Sequence, residues 1–212
     1  MVTAQTTVPA PQERSSIATE TVPVTVHSVL EPVIQSLTVK LGTTTTTIVN
    51  GYPYPMGGQM TQRVLFVCLG NICRSPTAEG VMLHLLQERG ITSVVVDSAG
   101  TSAYHAGEEA DGRSQREANR QGVHLPSRSR QFIVADFDRF DWILAMDKDN
   151  ERNILALARN DQDTNKVHLF RDFEPDNETG LSVPDPYYER NFGLVFDICR
   201  RGCLGLLAQM GL

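Results

Sequence analysis

A cysteine and an arginine follow one strand-like run in a spacing that suits phosphate chemistry. The apolar run 63–67 predicts a buried strand, and the segment CLGNICRSP, residues 68–76, follows it at once. Cys68 supplies a thiol at the end of that strand, and Arg74 supplies a planar cation that can bind two phosphate oxygens. The pattern indicates a cradle for a tetrahedral oxyanion with a thiolate at its floor. It predicts hydrolysis of a phosphate ester through a phosphocysteine.

The loop between these two residues suits amides that face inward. Gly70 is expected to take backbone angles closed to other residues, and Asn71 is the non-glycine type that best tolerates the left-handed region. Ser75 is a favoured N-cap and Pro76 suits a first helical position, so a helix is predicted to point its positive end at the same anion. The loop amides would then form an anion nest. The residues expected to bind the substrate phosphate are Leu69, Gly70, Asn71, Ile72, Cys73 and Ser75.

The same surroundings favour the reactive form of the nucleophile. Thiols beside an arginine and a helix N-terminus have pKa values of roughly 3.5–7.5, against about 8.5 for a free cysteine. The sequence therefore predicts a thiolate nucleophile at Cys68, with Arg74 following the charge that develops on the phosphate in the transition state. This chemistry requires no cofactor and no metal.

The segment resembles the signature loop of the low-molecular-weight protein tyrosine phosphatases. The resemblance continues in DSAGTS at 97–102, WILAMD at 142–147 and DPYY at 185–188, in the order of that family and at about its spacings. It extends from about Thr61 to the C-terminus. It implies hydrolysis of phosphotyrosine in proteins, with tyrosine-phosphorylated proteins as partners. In bacteria such partners are commonly autophosphorylated tyrosine kinases.

Asp185 is the second residue with a chemical role. Pro186 biases it away from helical angles, although an Asp-Pro pair alone is an ordinary turn signal. The resemblance implies that Asp185 protonates the leaving phenolate as a general acid and then activates water as a general base.

Aromatic residues are expected around the site. The resemblance implies that at least one of Tyr187 and Tyr188 walls the slot for the substrate ring, with Tyr104 on the opposite rim. His105 has no carboxylate partner that the sequence identifies, and we expect it to be an exposed loop residue. Ile72 lies where related protein-arginine phosphatases carry threonine, which favours phosphotyrosine as the substrate.

The other cysteines have both structural and chemical interpretations. Cys73 could fill space behind the loop, and the resemblance implies that it can form a reversible disulfide with Cys68. Cys199 and Cys203 are four residues apart on a predicted helix and are expected to be buried.

Composition excludes several classes of protein. The chain has 25 acidic and 19 basic residues with no lysine or arginine cluster, so it lacks the footprint of a nucleic-acid-binding protein. No apolar run is long enough to span a membrane. Four cysteines in 212 residues fit a reducing compartment, and a cytoplasmic enzyme, either a monomer or a weak dimer, is expected.

Two other functions remain to be weighed. Some arsenate reductases share this loop and fold, but they need further cysteines downstream, and the region 136–147 has none. The four cysteines could alternatively form a structural zinc site in a non-catalytic protein. Their placement on a phosphate loop and on a helix face argues against that alternative.

The chain divides near Met60. Residues 1–60 are rich in threonine and proline and are expected to be disordered, although the alternating apolar residues of 33–41 allow a marginal strand or helix. This tract lacks the features of a secretory signal or a transit peptide. It is interpreted as a disordered tail, or as sequence upstream of a native start at Met60.

Strands and helices alternate in residues 61–212, which predicts one α/β domain. The fold class is a single-domain four-stranded parallel sheet flanked by helices on both faces. The predicted strands are 63–68, 94–96, 142–146 and 167–170, and the predicted helices are 75–89, 107–121, 149–159 and 189–210. Ligands of such sheets bind beyond the carboxyl ends of the strands, where Cys68 lies. Ser127 occupies the place of a loop-supporting histidine of animal members, so the support of Asn71 is expected to differ.

Overall fold

The chain forms two separate units, Met1–Gly58 and Gln59–Leu212. In this computed structural model the described residues are 61–175 and 181–212, with the backbone of three strands before them. Those strands are β1 (Ser36–Leu41), β2 (Thr44–Val49) and β3 (Tyr52–Tyr54), which pair in order as an antiparallel sheet. Strand β1 lies in the stretch whose alternation allowed a marginal strand. The disorder expected for the rest of 1–60 falls outside the described residues and stays a prediction.

The second unit is built on a parallel sheet with the order β5-β4-β6-β7. Its strands are β4 (Gln62–Cys68), β5 (Val94–Gly100), β6 (Trp142–Ala145) and β7 (Val167–Leu169). Strand β4 is central, and its register pairs Cys68 with Gly100 on one side and Val67 with Ala145 on the other. The carboxyl ends of three strands therefore meet around Cys68. In the described part of the chain, seven α-helices connect and cover the strands: α1 (Arg74–Glu88), α2 (Gly112–Arg120), α3 (Asp136–Arg139), α4 (Lys148–Leu155), α5 (Asp161–Thr164), α6 (Pro186–Glu189) and α7 (Phe192–Gln209).

The side chains of β4 alternate between two apolar cores. Val64, Phe66 and Cys68 face a core shared with α1 and α7, while Leu65 and Val67 face a core that includes Phe137 of α3 and Ile154 of α4. All five are buried, as expected for a central strand with helices on both faces. The predicted four-stranded parallel sheet with flanking helices is confirmed. None of the helices in the described part of the chain is long and apolar enough to cross a membrane.

Helix boundaries differ from the sequence prediction where a side chain caps the helix. The predicted helix 107–121 begins only at Gly112, because the Asp111 carboxylate accepts a hydrogen bond from the Arg113 amide. The residues before it instead join the loop 128–129 through main-chain pairing. The predicted helix 149–159 ends at Leu155, and α5 follows it.

The last helix also begins later than expected. Its predicted start at Glu189 is wrong, because Arg190 takes a left-handed conformation with φ 58° and ends α6. Helix α7 starts at Phe192. Helix α6 itself was not predicted, although Asp185 as N-cap and Pro186 at the first helical position are standard start signals.

Candidate active site

Cys68 ends β4, and its sulfur lies within hydrogen-bond distance of one amide and one hydroxyl. The Asn71 amide donates to Cys68 Sγ at 3.2 Å, and Ser75 Oγ lies 3.1 Å from the same sulfur. Asn71 takes a left-handed conformation with φ 54°, as its residue type allows, and this turn aims its amide inward. The sulfur therefore lies at the base of the loop formed by residues 68–75, called here the phosphate loop.

Ser75 has a different local role from the one predicted. Helix α1 begins at Arg74 with Cys73 as N-cap, and no side chain caps it. The Ser75 hydroxyl instead lies within hydrogen-bond distance of Cys68 Sγ and accepts a hydrogen bond from Asn71 Nδ2 at 2.9 Å. A hydroxyl placed this way can donate to a sulfur anion. Ser75 thus serves the nucleophile while the helix still points its N-terminus at the loop.

Gly70 lies in close contact with a neighbouring loop. Its φ is not positive, so the expectation of an unusual backbone angle there is wrong. A Cβ at Gly70 would lie 3.0 Å from His105 Cδ2. The phosphate loop and the loop that carries His105 therefore approach each other closely.

Arg74 joins the phosphate loop to two carboxylates. Its Nη1 donates to Asp147 Oδ2 at 2.5 Å and to the Val183 carbonyl at 3.2 Å, and its Nη2 donates to Asp185 Oδ2 at 2.9 Å. Burial opposes its charge, but Cys68, Asp185 and Asp147 together raise the pKa of Arg74. Within the described residues Arg74 Nε is buried without an acceptor. A guanidinium held in this way can offer that nitrogen to an anion in the loop.

Asp185 caps the short helix α6. Its Oδ1 accepts from the Tyr187 amide at 3.0 Å while its Oδ2 accepts from Arg74. Tyr187 and Tyr188 follow it, with ring centroids 5.2 Å apart in an edge-to-face arrangement. One turn of helix therefore presents a carboxylate and an aromatic wall together.

These residues surround one cavity of about 470 Å³. Of the residues predicted to bind substrate, Asn71 and Ser75 do not line it. Both belong to the phosphate loop, but they are buried. Ser102 and His105 line the cavity and were missed by the sequence reasoning. The predicted residues that line it are Cys68, Leu69, Gly70, Ile72, Cys73, Arg74, Tyr104, Asp185, Tyr187 and Tyr188.

His105 is a partly exposed residue of a turn, in line with the loop position expected for it. Its Nδ1 lies 2.9 Å from Glu108 Oε2, which is the carboxylate partner that the sequence had not identified. The side chain is 35% exposed. A histidine three residues before a glutamate in a turn was the signal that could have indicated this pair.

Asn71 is supported by a buried polar network. Its Nδ2 donates to Ser98 Oγ at 2.8 Å, and its Oδ1 accepts from the Arg130 amide at 2.9 Å. Ser98 Oγ in turn donates to Glu79 Oε2 at 2.6 Å, and Ser127 donates to the other oxygen of Glu79. The support of the loop therefore reaches Ser127 through a carboxylate.

The remaining cysteines are buried as free thiols. Cys73 lines the cavity, and burial raises the pKa of its thiol to about 12. Cys199 and Cys203 are fully buried, as predicted, and donate to carbonyls of α1 at Arg74 and Ala78. Burial also raises the pKa of both. In the described parts of the chain, no group of three potential metal ligands lies together.

Comparison with known proteins places this site in a family. The family model of the low molecular weight phosphotyrosine protein phosphatases matches residues 63–211. The chain belongs to this family. A relative from Synechocystis sp. is 43% identical over 152 residues, which cover 70% of this chain and 96% of the relative.

Solved structures share the fold. The crystal structure of a protein tyrosine phosphatase from Entamoeba histolytica, with Hepes in its active site, is 40% identical, with a TM-score of 0.67. The match covers 71% of this chain and 97% of that one. The Drosophila arginine phosphatase is 30% identical with a TM-score of 0.65, over 70% of this chain and 98% of that one.

Proposed function

We propose that this member of the phosphatase family hydrolyses phosphotyrosine in proteins through a phosphocysteine on Cys68. Arg74 binds the phosphate and stabilises the transition state, and Asp185 acts first as acid and then as base. The observation that carries the proposal is that one buried guanidinium joins the loop around Cys68 to the carboxylate of Asp185. Nucleophile, phosphate clamp and acid therefore face a single cavity.

In the first step the Cys68 thiolate attacks phosphorus as the bond to the phenolic oxygen breaks. The phosphate-loop amides and Arg74 bind the equatorial oxygens, on which negative charge develops. Asp185 gives its proton to the departing phenolate, so that a phenol leaves. The S–P bond formed here is the phosphocysteine.

In the second step water attacks the same phosphorus. Asp185, now ionised, takes a proton from the water, and the S–P bond breaks. Inorganic phosphate forms and Cys68 returns as a thiolate. The Asn71 amide and the Ser75 hydroxyl, at 3.2 and 3.1 Å, lie where they stabilise the sulfur anion as it leaves.

The aromatic residues that line the cavity favour an aryl phosphate. Tyr187, Tyr188 and Tyr104 surround the opening, where a substrate ring can stack while its phosphate reaches the loop. Ile72 is apolar and lines the same cavity. We infer that tyrosine-phosphorylated proteins are the substrates, with an autophosphorylated tyrosine kinase as one candidate. Because the reaction depends on a free thiol, a cytoplasmic location suits it.

Two variants of the purified protein test the mechanism. Cys68→Ser should abolish release of phosphate from a phosphotyrosine peptide, because it replaces the thiolate that attacks phosphorus with a hydroxyl. Asp185→Ala should reduce kcat/KM by about 10²–10⁴-fold for phenyl phosphate, and much less for p-nitrophenyl phosphate, whose leaving group needs no proton.

Parallel assays with phosphoarginine and phosphoserine peptides separate the substrate classes. A preference for phosphoarginine would overturn the assignment of phosphotyrosine as the substrate, but it would not contradict the role of Cys68 as the nucleophile. Equal effects of Asp185→Ala on the two aryl phosphates would contradict its role as the acid.

A further inference from the structure

We propose that Arg113 is a positioning residue that holds the acid loop, residues 183–190, against the phosphate loop. It would thereby position the Asp185 carboxylate and the Tyr187 ring. The inference rests on the function proposed above, because it concerns the same reaction. Arg113 lies near the start of α2 and does not itself line the cavity.

The first part of the connection joins α2 to the phosphate loop. The Asp111 amide donates to the Ile72 carbonyl at 2.7 Å. The Asp111 carboxylate accepts from Arg113 Nε at 3.0 Å and from Nη2 at 2.7 Å, as well as from the Arg113 amide. The guanidinium is therefore anchored, through one residue, to the loop that holds the nucleophile.

The second part joins the guanidinium to the acid loop. The Arg113 guanidinium carbon lies over the Tyr187 ring, 5.0 Å from its centroid, and over the Phe192 ring at 4.9 Å. Arg113 Nη1 also donates to the Tyr187 carbonyl at 3.5 Å. A guanidinium is planar and stacks on aromatic faces, whereas the lysine ammonium is a compact charge. The contact is thus specific to arginine.

Asp185 caps the same turn that Arg113 contacts. Tyr187 presents its ring and carbonyl to Arg113 and its amide to Asp185 Oδ1. Pro186 is the one buried residue of α6, and Arg74 binds the carboxylate of its N-cap, Asp185. The contacts of Arg113 add an attachment at Tyr187, through Asp111, to the same phosphate loop.

Loss of these contacts should move the acid more than the nucleophile. A displacement of about 1 Å in a reacting group can cost on the order of 100-fold in rate. For Arg113→Ala we expect about a 10-fold fall in kcat/KM for phenyl phosphate, within the range that a general acid contributes. The fall should be much smaller for p-nitrophenyl phosphate, which leaves without protonation.

Two further variants separate positioning from charge and from folding. Arg116→Ala removes the same charge from the same helix, near the same Asp111 carboxylate, and should leave both rates unchanged. Arg113→Lys keeps the charge but not the planar stack, so it should resemble Arg113→Ala. It also carries the test if the alanine variant does not fold.

The decisive measurement is the effect of Arg113→Ala in an Asp185→Ala background. If Arg113 acts through the acid, it should add little there for phenyl phosphate. Additive losses would overturn the proposal, as would equal losses for the two substrates or an equal effect of Arg116→Ala. A wild-type protein that hydrolyses neither substrate would instead overturn the proposed function.

Discussion

At the scale of single residues, Glu79 is a buried carboxylate one layer behind the phosphate loop. It is 4% exposed, and burial raises its pKa above the ordinary value, while hydrogen bonds from Ser127 and Ser98 act in the opposite direction. Ser98, which donates to Glu79, also accepts a hydrogen bond from the Asn71 side chain. The hydrogen bonds that stabilise the Glu79 carboxylate therefore also support the conformation of the phosphate loop.

Replacing Ser127 with alanine should destabilise the protein. The change removes one of the donors to a buried carboxylate, which typically costs about 1–3 kcal/mol. The effect should depend on pH. A carboxyl whose pKa is raised by folding favours the folded state at low pH, and this contribution is lost as pH rises through the folded pKa.

Unfolding in urea at several pH values measures this effect. The difference between wild type and Ser127→Ala should be greatest where Glu79 is ionised and should shrink as pH falls towards 4.5, its unperturbed pKa. Glu79→Gln is the matched control, because the effect of Ser127→Ala should lose its pH dependence in that background. A constant difference across pH in both backgrounds would contradict the assignment.

The candidate site was predictable where its residues are close in sequence. Cys68 to Arg74 form one loop, so their types and spacing already define the cradle. Asp147 was not assigned a role, although it binds Arg74 at 2.5 Å, because it comes from a different strand end. Arg113 was not found either, since its proposed role depends on contacts with Tyr187, which lies 74 residues away in the sequence.

At the scale of elements, helix α7 shows how packing overrides helix propensity. A Cβ at Gly205 would overlap the main-chain carbonyl of Phe173. Gly205→Ala should therefore destabilise the protein by about 1–3 kcal/mol, the typical cost of overpacking, despite the better helix propensity of alanine. Thermal unfolding followed by circular dichroism measures this as a lower Tm.

Gly193 in the same helix is the control. A Cβ there would meet Glu117 Oε1 at 3.8 Å, an ordinary contact. Gly193→Ala should leave the Tm unchanged or raise it, since alanine is favoured over glycine in helices by about 1 kcal/mol. Similar Tm values for the two alanine variants would mean that α7 and Phe173 can separate without cost.

The sequence predicted the elements better than their ends. Alternating apolar runs indicate which segments are buried, and those became the four strands. Strand β5 extends beyond the predicted 94–96 to Gly100, because its main chain stays paired with β4 and the polar side chains of Asp97 and Ser98 find partners in Arg130 and Glu79. The local pattern of apolar residues does not reveal such partners. It also does not reveal the capping residues that place the start of α2 at Gly112 and separate α6 from α7.

At the scale of the whole molecule, the proposed catalytic residues all belong to one unit. Every residue that lines the cavity lies within Gln59–Leu212, and the family model matches 63–211. The Synechocystis relative is matched over 96% of its own length by this part of the chain. The enzyme activity is therefore expected to require the second unit alone.

A chain that begins at Met60 tests this expectation. It retains both apolar cores and every residue of the phosphate loop, so it should fold and hydrolyse p-nitrophenyl phosphate with the kcat/KM of the full chain. The Tm of the catalytic unit should also be unchanged, because among the residues whose side chains the structure describes, neither core includes one before Val64. Steady-state kinetics and thermal unfolding of the two chains, purified in parallel, provide the comparison. A lower kcat/KM at equal Tm would show that residues 1–59 contribute to catalysis, and a lower Tm would show that they stabilise the fold.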